Sequence, residues 1–146
     1  MSMRLKTLWL PIILIAAAGC GNDDENLPNS PQLVIDRNAM QFDTEYNSGT
    51  YVGRSTYNTL YIRNGGLQTL EITDIAVSGP SEFKLTPPEG WVAGQPLKLE
   101  TNAKTFIQVT FSPKKAGDFT GKLTVQSNAA NTPSLEIPLT AKGINP

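Results

Sequence analysis

The chain of 146 residues contains no histidine and a single cysteine, Cys20. The absence of histidine excludes a Ser-His-Asp triad, a Cys-His dyad and an imidazole metal ligand. One cysteine can form neither an internal disulfide nor a thiolate zinc site. An enzyme of this composition would have to use carboxylates, lysine, tyrosine and serine alone. We therefore expect a protein that is not an enzyme and that holds no metal and no cofactor.

Long apolar runs are also absent, because the run at residues 8–18 is too short to span a bilayer. It follows two basic residues and precedes small residues and Cys20, which is the order of a secretory signal. The arrangement resembles the lipobox of bacterial lipoproteins, in which the cysteine thiol receives diacylglycerol before cleavage on its N-terminal side. The resemblance implies a signal peptide at residues 1–19 and a lipidated Cys20 that anchors the chain to a membrane. An ordinary secretory signal that ends at a cysteine by chance is the alternative.

Residues 20–31 are polar and acidic and contain two prolines, a composition that predicts a flexible tether. The acids of residues 23–25 are consecutive in a flexible segment, and a calcium site there is disfavoured because such acids do not converge on an ion. Gly21 after the cysteine resembles lipoproteins sent to an outer membrane, and the acidic triplet resembles a surface-export signal. We expect an outer-membrane lipoprotein of the cell envelope that faces the periplasm or the cell surface.

The charge of the chain after residue 19 is slightly negative. The sequence has 12 Lys and Arg against 13 Asp and Glu, and two of the basic residues lie in the leader, so the remainder has 10 − 13 = −3. No basic run is present. Nucleic-acid binding therefore has little support.

Residues 32–146 show strand signals separated by turn residues, with no sustained helical period. The strand-like segments are residues 32–36, 55–64, 70–78, 82–85, 105–111, 119–127 and 134–143. Their apolar alternation predicts one all-β domain, an Ig-like β-sandwich of about seven to eight antiparallel strands. The parity of the apolar residues slips within residues 70–78, which predicts a bulge. Pro138 cannot donate to a ladder, so its strand is expected to be an edge, at least locally.

The segment at residues 55–64 has two distinct faces. Leu60 and Ile62 share one face, whereas the other carries Tyr57, Thr59 and Tyr61. This second face either covers an edge of the other sheet or lies exposed. The Asn-Gly-Gly sequence at residues 64–66 predicts a tight turn with positive φ angles.

A family resemblance becomes specific in the second half of the domain. It depends on the Phe-Ser-Pro sequence at residues 111–113, on Gly117 and Gly121, on Asn128 after a serine, and on the closing residues 139–143. These features resemble the abnormal-spindle/hydin type of Ig-like domain, which recurs in bacterial envelope proteins as the choice-of-anchor D module. The resemblance covers residues 32–143. It implies a scaffolding or docking role, and the family has no shared catalytic motif.

Three loop aromatics are the candidate binding residues of the sequence: Tyr46, Tyr51 and Trp91. Clustered together, they could stack on a sugar or dock a protein; the alternative is that Trp91 caps the open end of the core. The leading hypothesis is a non-catalytic, lipid-anchored module that docks or assembles with another envelope protein, with exposed strand edges available for β-augmentation. The alternative is a surface glycan-binding protein that uses these aromatics.

Overall fold

The computed structural model describes residues 26–42 and 49–146, and within these ranges the chain forms ten strands and no helix. In chain order the strands are β1 (Leu33–Ile35), β2 (Met40–Gln41), β3 (Thr50–Tyr51), β4 (Thr56–Asn64), β5 (Leu70–Ser78), β6 (Phe83–Thr86), β7 (Leu97–Leu99), β8 (Lys104–Phe111), β9 (Gly117–Ser127) and β10 (Ser134–Ile144). Sheet A has the order β1-β4-β8-β6. Sheet B has the order β2-β10-β9-β5-β7, and β3 also pairs with β10.

The core lies between the two sheets, because the long strands bury alternate side chains. In β10 the buried and exposed residues alternate from Ser134 to Gly143. The most deeply buried large side chains come from both sheets and from the loop after β2: Phe42, Phe111, Met40, Leu60, Ile62, Leu70, Ile72, Ile107, Leu123, Ile137, Leu139 and Val109. The predicted all-β sandwich is confirmed.

The three strands that the sequence pattern did not predict are short. Strands β2 and β3 have two residues each and pair with β10 in parallel, whereas the other pairings of the two sheets are antiparallel. Strand β7 adds three residues to the far edge of sheet B. Two or three residues are too few to show a period of two, so composition alone does not reveal them.

Four phenylalanine rings form the packing at one end of the sandwich. The Phe111 ring lies 5.2 Å from the rings of both Phe83 and Phe119, and Phe42 lies 5.5 Å from Phe83 and 6.1 Å from Phe111, measured between centroids. Tilted and edge-on pairs at these distances are favourable beyond the area that they bury. Gly121 makes room for this cluster, since a Cβ there would stand 3.0 Å from the Phe83 ring and 2.7 Å from the Ser78 carbonyl oxygen.

Two local predictions for the strands are confirmed. In β5 the pairing with β9 shifts between Ile72 and Asp74, and this irregularity is the bulge expected from the parity slip. Pro138 pairs with Lys122 of β9, and β2 joins β10 on the other side only from Leu139 onward. Among the described residues, β10 is therefore an edge strand up to Pro138.

The predicted positive φ angles at residues 64–66 are wrong: the non-glycine residue with positive φ in the described chain is Asn102, and Gly65 and Gly66 do not have that conformation. Gly66 is needed for a different reason. A Cβ at this position would stand 1.7 Å from the carbonyl oxygen of Ser30, so only glycine allows the two backbones to pass this closely.

Asn64 ends β4 with a fully buried side chain that links several segments. Its Oδ1 accepts hydrogen bonds from the amides of Gly66 (2.9 Å) and Gln32 (3.3 Å), and its Nδ2 donates to the carbonyls of Gln68 (2.8 Å) and Leu99 (3.0 Å). A buried amide is tolerated when its donors and acceptors are satisfied, as they are here. Asn64 therefore ties β4, β7 and the segment before β1 together.

The segment before β1 runs against the domain. The Leu67 amide donates to the Pro28 carbonyl and the Ala130 amide to the Pro31 carbonyl, both at 2.9 Å. These bonds place the last residues of the segment that the sequence assigns to the tether beside the turn that follows β4 and beside the connection from β9 to β10. The boundaries at residues 19, 31 and 32 remain predictions.

A candidate docking face on sheet A

The outer faces of the two sheets differ sharply. The outer face of sheet B is mostly polar and charged and carries two surface ion pairs, Lys98–Glu71 (3.2 Å) and Lys122–Glu136 (3.1 Å). Among its described strands, the exposed large hydrophobic side chain is Tyr51, on the short edge strand β3. The outer face of sheet A instead carries four of the seven large hydrophobic side chains that the described residues expose. These are Val34, Tyr57, Tyr61 and Phe106, which we call the aromatic face.

Strand alternation places these side chains outward. In β4, Leu60 and Ile62 point into the core, so Tyr57 and Tyr61 point to solvent, with 67% and 54% of their surface exposed. Phe106 of β8 (48% exposed) lies directly opposite Tyr61 in the register, and Val34 of β1 is 37% exposed. Of the two readings left open for the tyrosine face, the structure shows the exposed one.

The central pair of the aromatic face is not flat. The Tyr61 and Phe106 rings lie 6.0 Å apart between centroids, with an angle of 51° between their planes. Cross-strand aromatic pairs of this kind stabilise a sheet modestly. The tilt means that the two rings do not form a coplanar platform.

A basic groove adjoins the aromatic face. Arg63 of β4 lies opposite both Val34 of β1 and Lys104 of β8. The groove has a volume of about 330 Å³ and is lined by Val34, Ile35, Asp36, Tyr61, Ile62, Arg63 and Lys104. The Arg63 guanidinium is oriented by a 2.9 Å hydrogen bond that its Nη1 donates to Asn102 Oδ1.

Asp36 extends the pairing of β1 by means of its side chain. Its Oδ1 accepts a hydrogen bond from the Tyr61 amide at 2.9 Å, and its Oδ2 accepts from Arg37 Nε and Nη2 at 2.9 and 2.7 Å. Burial of the carboxylate opposes its ionisation, but the hydrogen bonds from Arg37 and Tyr61 and the charge of Arg37 outweigh it and hold the pKa of Asp36 below its ordinary value. Asp36 therefore remains an anion already engaged by its neighbours.

Side-chain amides cover other backbone groups at this edge of sheet A. Asn58 Oδ1 accepts from the Thr59 amide at 2.8 Å and from Arg37 Nη1 at 2.6 Å. Asn131 binds both backbone groups of Leu33, accepting from its amide at 2.9 Å and donating to its carbonyl at 2.8 Å. Such covered edges disfavour the addition of a foreign strand. The accessible feature on this side of the domain is the face of the sheet, not its edge.

The described residues among the candidates chosen from the sequence, Tyr51 and Trp91, do not lie on this face. Cys20 and Tyr46 are outside the described residues. Tyr51 is 53% exposed on β3, whereas Trp91 is partly buried and packs against the core in the connection from β6 to β7. Strands β3 and β7 lie at opposite edges of sheet B, four strand spacings or about 19 Å apart, so Tyr51 and the Trp91 connection belong to different sides of the domain.

Sequence reasoning singled out the outward tyrosines but missed Phe106, Arg63 and Lys104 as their neighbours. The signal for Phe106 was present, since it lies out of phase with the buried residues Ile107 and Val109. The proximity of Arg63 and Lys104 depends on the register between β4 and β8, which a single sequence does not reveal.

The described part of the chain offers few groups of the kind that bind metals or catalyse reactions. Residues 26–42 and 49–146 hold no group of three or more cysteine or carboxylate side chains that could bind a metal ion. They also include no helix of the length and apolarity needed to cross a membrane. Their buried polar residues are Thr50 and Asn64, neither of which is ionisable.

Two packed sheets of this topology define an Ig-like β-sandwich domain. The chain belongs to the Cep192 domain 4 family, whose sequence profile matches residues 31–144. No curated protein sequence gives a significant match to the chain.

Solved structures share the fold at low sequence identity. PapD-like domain 7 of human CEP192, an ASH / PapD-like domain, is 16% identical with a TM-score of 0.62, over 100% of this chain and 99% of that one. A protein of unknown function from Porphyromonas gingivalis W83 is 12% identical with a TM-score of 0.61, over 80% and 48% of the two chains. The periplasmic chaperone SfaE is 8% identical with a TM-score of 0.52, over 78% and 60%. At these identities the likeness establishes the fold alone.

Proposed function

We propose that this protein is a non-catalytic, lipid-anchored module of the cell envelope that docks another envelope protein through the aromatic face of sheet A. The observation that carries the proposal is the asymmetry between the two outer faces. Solvent-exposed sheet faces are normally polar, as most of sheet B is, whereas the outer face of sheet A exposes four large hydrophobic side chains, and an exposed apolar patch marks an interaction site.

The composition of the face suits protein recognition. Tyrosine and arginine dominate the energetics of many protein interfaces, because they combine a large contact area with a polar group. Here Tyr57, Tyr61 and Phe106 offer rigid rings on regular strands, and Arg63 lies at their border. A side chain fixed on a strand loses little conformational freedom when a partner binds, so more of its contact energy appears as affinity.

The proposed anchor is a diacylglyceryl group on Cys20, following removal of a signal peptide of residues 1–19. Its support is the lipobox-like leader and the resemblance to choice-of-anchor D modules of bacterial envelope proteins. A periplasmic chaperone has the same fold, which is compatible with a location at the outer membrane, facing the periplasm or the cell surface. Stable anchoring requires two or more acyl chains, which lipoprotein maturation would supply.

The glycan-binding alternative has weaker support. It depends on a cluster of the loop aromatics Tyr46, Tyr51 and Trp91. Of the two that the structure describes, Trp91 packs against the core, and Tyr51 lies on β3, at the edge of sheet B opposite β7. Catalysis also has little support, because the acid at the groove, Asp36, is engaged by Arg37 and Tyr61 and has no second carboxylate beside it among the groove residues.

Site-specific photo-crosslinking in intact cells tests the docking proposal. The photoreactive amino acid p-benzoylphenylalanine replaces Phe106 in the full-length protein, and the control places it at Thr120, which is exposed on the outer face of sheet B. We expect a discrete protein adduct from position 106 that is absent from position 120 and that is lost when Cys20→Ala removes the anchor. Equal adducts from both faces, or none from position 106, would contradict the proposal.

A further inference from the structure

We infer that the groove beside the aromatic face binds an acidic segment of a protein partner, with a carboxylate seated between Arg63 and Lys104. This inference rests on the proposed docking function and names the chemistry of the partner. It begins from two cations that the fold places directly opposite each other.

Arg63 and Lys104 are cross-strand neighbours in the antiparallel pairing of β4 and β8. Side chains at such positions have Cβ atoms about 4.5–5.5 Å apart, and like charges there destabilise a sheet. Lys104 makes no ion pair within the described residues, and Arg63 is bonded to the neutral amide of Asn102. Within the described residues, these two close positive charges therefore have no ion-pair partner.

Asp36 does not supply the missing anion. Its Oδ2 accepts two hydrogen bonds from Arg37, and its Oδ1 accepts one from the Tyr61 amide. The ion pairs of the described residues place Asp36 with Arg37 alone, at 2.7 Å. The groove is lined by two cations, Arg63 and Lys104, and one anion, Asp36, so the net charge of its lining residues remains positive.

The geometry suits a carboxylate with an apolar neighbour. Guanidinium presents five N–H donors in a planar fork, of which one here binds Asn102, and the ammonium of Lys104 adds a compact charge. Val34 and Tyr61 line the same groove, whose volume of about 330 Å³ accommodates side chains rather than a folded element. The expected ligand is an Asp or Glu with an apolar residue two positions away in an extended segment, because residues i and i+2 of an extended chain share one face.

The test combines the crosslink at position 106 with charge variants of the full-length lipidated protein. R63Q/K104Q removes both cations, and K142Q is the matched control, because Lys142 is exposed on sheet B and makes no ion pair within the described residues. We expect the adduct to fall at least tenfold in R63Q/K104Q and to be unchanged in K142Q. Mass spectrometry should place the crosslink in an acidic segment of another protein.

The outcomes separate this inference from the docking function. An adduct that persists undiminished in R63Q/K104Q overturns the inference and leaves docking intact, whereas no adduct in any form contradicts docking itself. A neutral or basic partner segment, a lipid adduct, or an adduct to residues 23–25 of this chain would each overturn the inference as well.

A second readout does not depend on the partner. K104E places a glutamate opposite Arg63 and replaces repulsion with attraction, so the melting temperature of the domain should rise while the crosslink at position 106 is lost. A melting temperature that falls or does not change would mean that Arg63 and Lys104 do not repel each other in the free protein, and the inference would lose its basis.

Discussion

Asn64 is the most completely buried polar side chain of the described residues. Its replacement tests how much its hydrogen bonds stabilise the end of the sandwich at which β4 and β7 end. Leucine is similarly branched at Cγ but has no donor or acceptor. N64L therefore removes the four side-chain hydrogen bonds to Gln32, Gly66, Gln68 and Leu99.

The magnitude follows from the burial of these bonds. The bonds to the Gly66 amide and the Leu99 carbonyl are buried, whereas the other two are partly buried and open to replacement by water. Each buried backbone group left without a partner costs about 1–3 kcal/mol. N64L should therefore lower the free energy of unfolding by about 2–6 kcal/mol, a large share of the 5–15 kcal/mol typical of a domain.

Urea unfolding of residues 26–146, followed by the fluorescence of Trp91, measures this loss. The control is N128L: Asn128 accepts a hydrogen bond from the Glu71 amide and donates one to the Thr69 carbonyl, and both bonds are exposed to water. Its expected loss is about 1 kcal/mol. If N64L loses no more than N128L, the buried amide does not hold the end of the sandwich.

Three further predictions concern stability. Gly66→Ala should lower the melting temperature sharply, because its Cβ would stand 1.7 Å from the Ser30 carbonyl oxygen; an unchanged melting temperature would contradict the close approach. The difference in stability between the wild type and Asp36→Asn should be largest at neutral pH and should shrink as the pH falls below 3.8, the ordinary pKa of an aspartate. The reason is that a depressed pKa stabilises the folded state only while the carboxylate is ionised, and a difference independent of pH would refute it. Trp91→Ala should lower the melting temperature and Tyr51→Ala should not, since only the former packs against the core; the reverse order would make Trp91 a surface residue.

The long strands were predicted well from the sequence, because a strand of eight or more residues contains several periods of apolar alternation. The strand at residues 70–78 has the predicted bounds, and even its bulge was visible as a slip in apolar parity. At Asn64 the sequence pattern leads to a wrong expectation, because an Asn before two glycines is typical of a tight turn with positive φ angles. In the structure the Asn64 side chain is buried, and Gly66 is needed because the backbone of Ser30 passes too close for a Cβ. Contacts between distant segments decided both roles.

The candidate site was less accessible to sequence reasoning. Aromatic residues in loops are natural candidates because loops often bind ligands, but Trp91 packs against the hydrophobic core. Met40 and Phe42 are fully buried although residues 37–54, in which they lie, show no strand signal in the sequence. The aromatic face needed two facts that only the fold supplies: which strands are neighbours, and that Tyr61 and Phe106 stand opposite each other.

Docking of a protein by the aromatic face is tested by partner recovery from intact cells with Y61S/F106S. Both rings are about half exposed, so their removal should cost the free domain only about 1 kcal/mol, which a melting curve would verify. We expect recovery of the partner that cross-links to the wild-type protein to fall at least tenfold in this variant. Undiminished recovery of the same partner with a folded Y61S/F106S protein would contradict it.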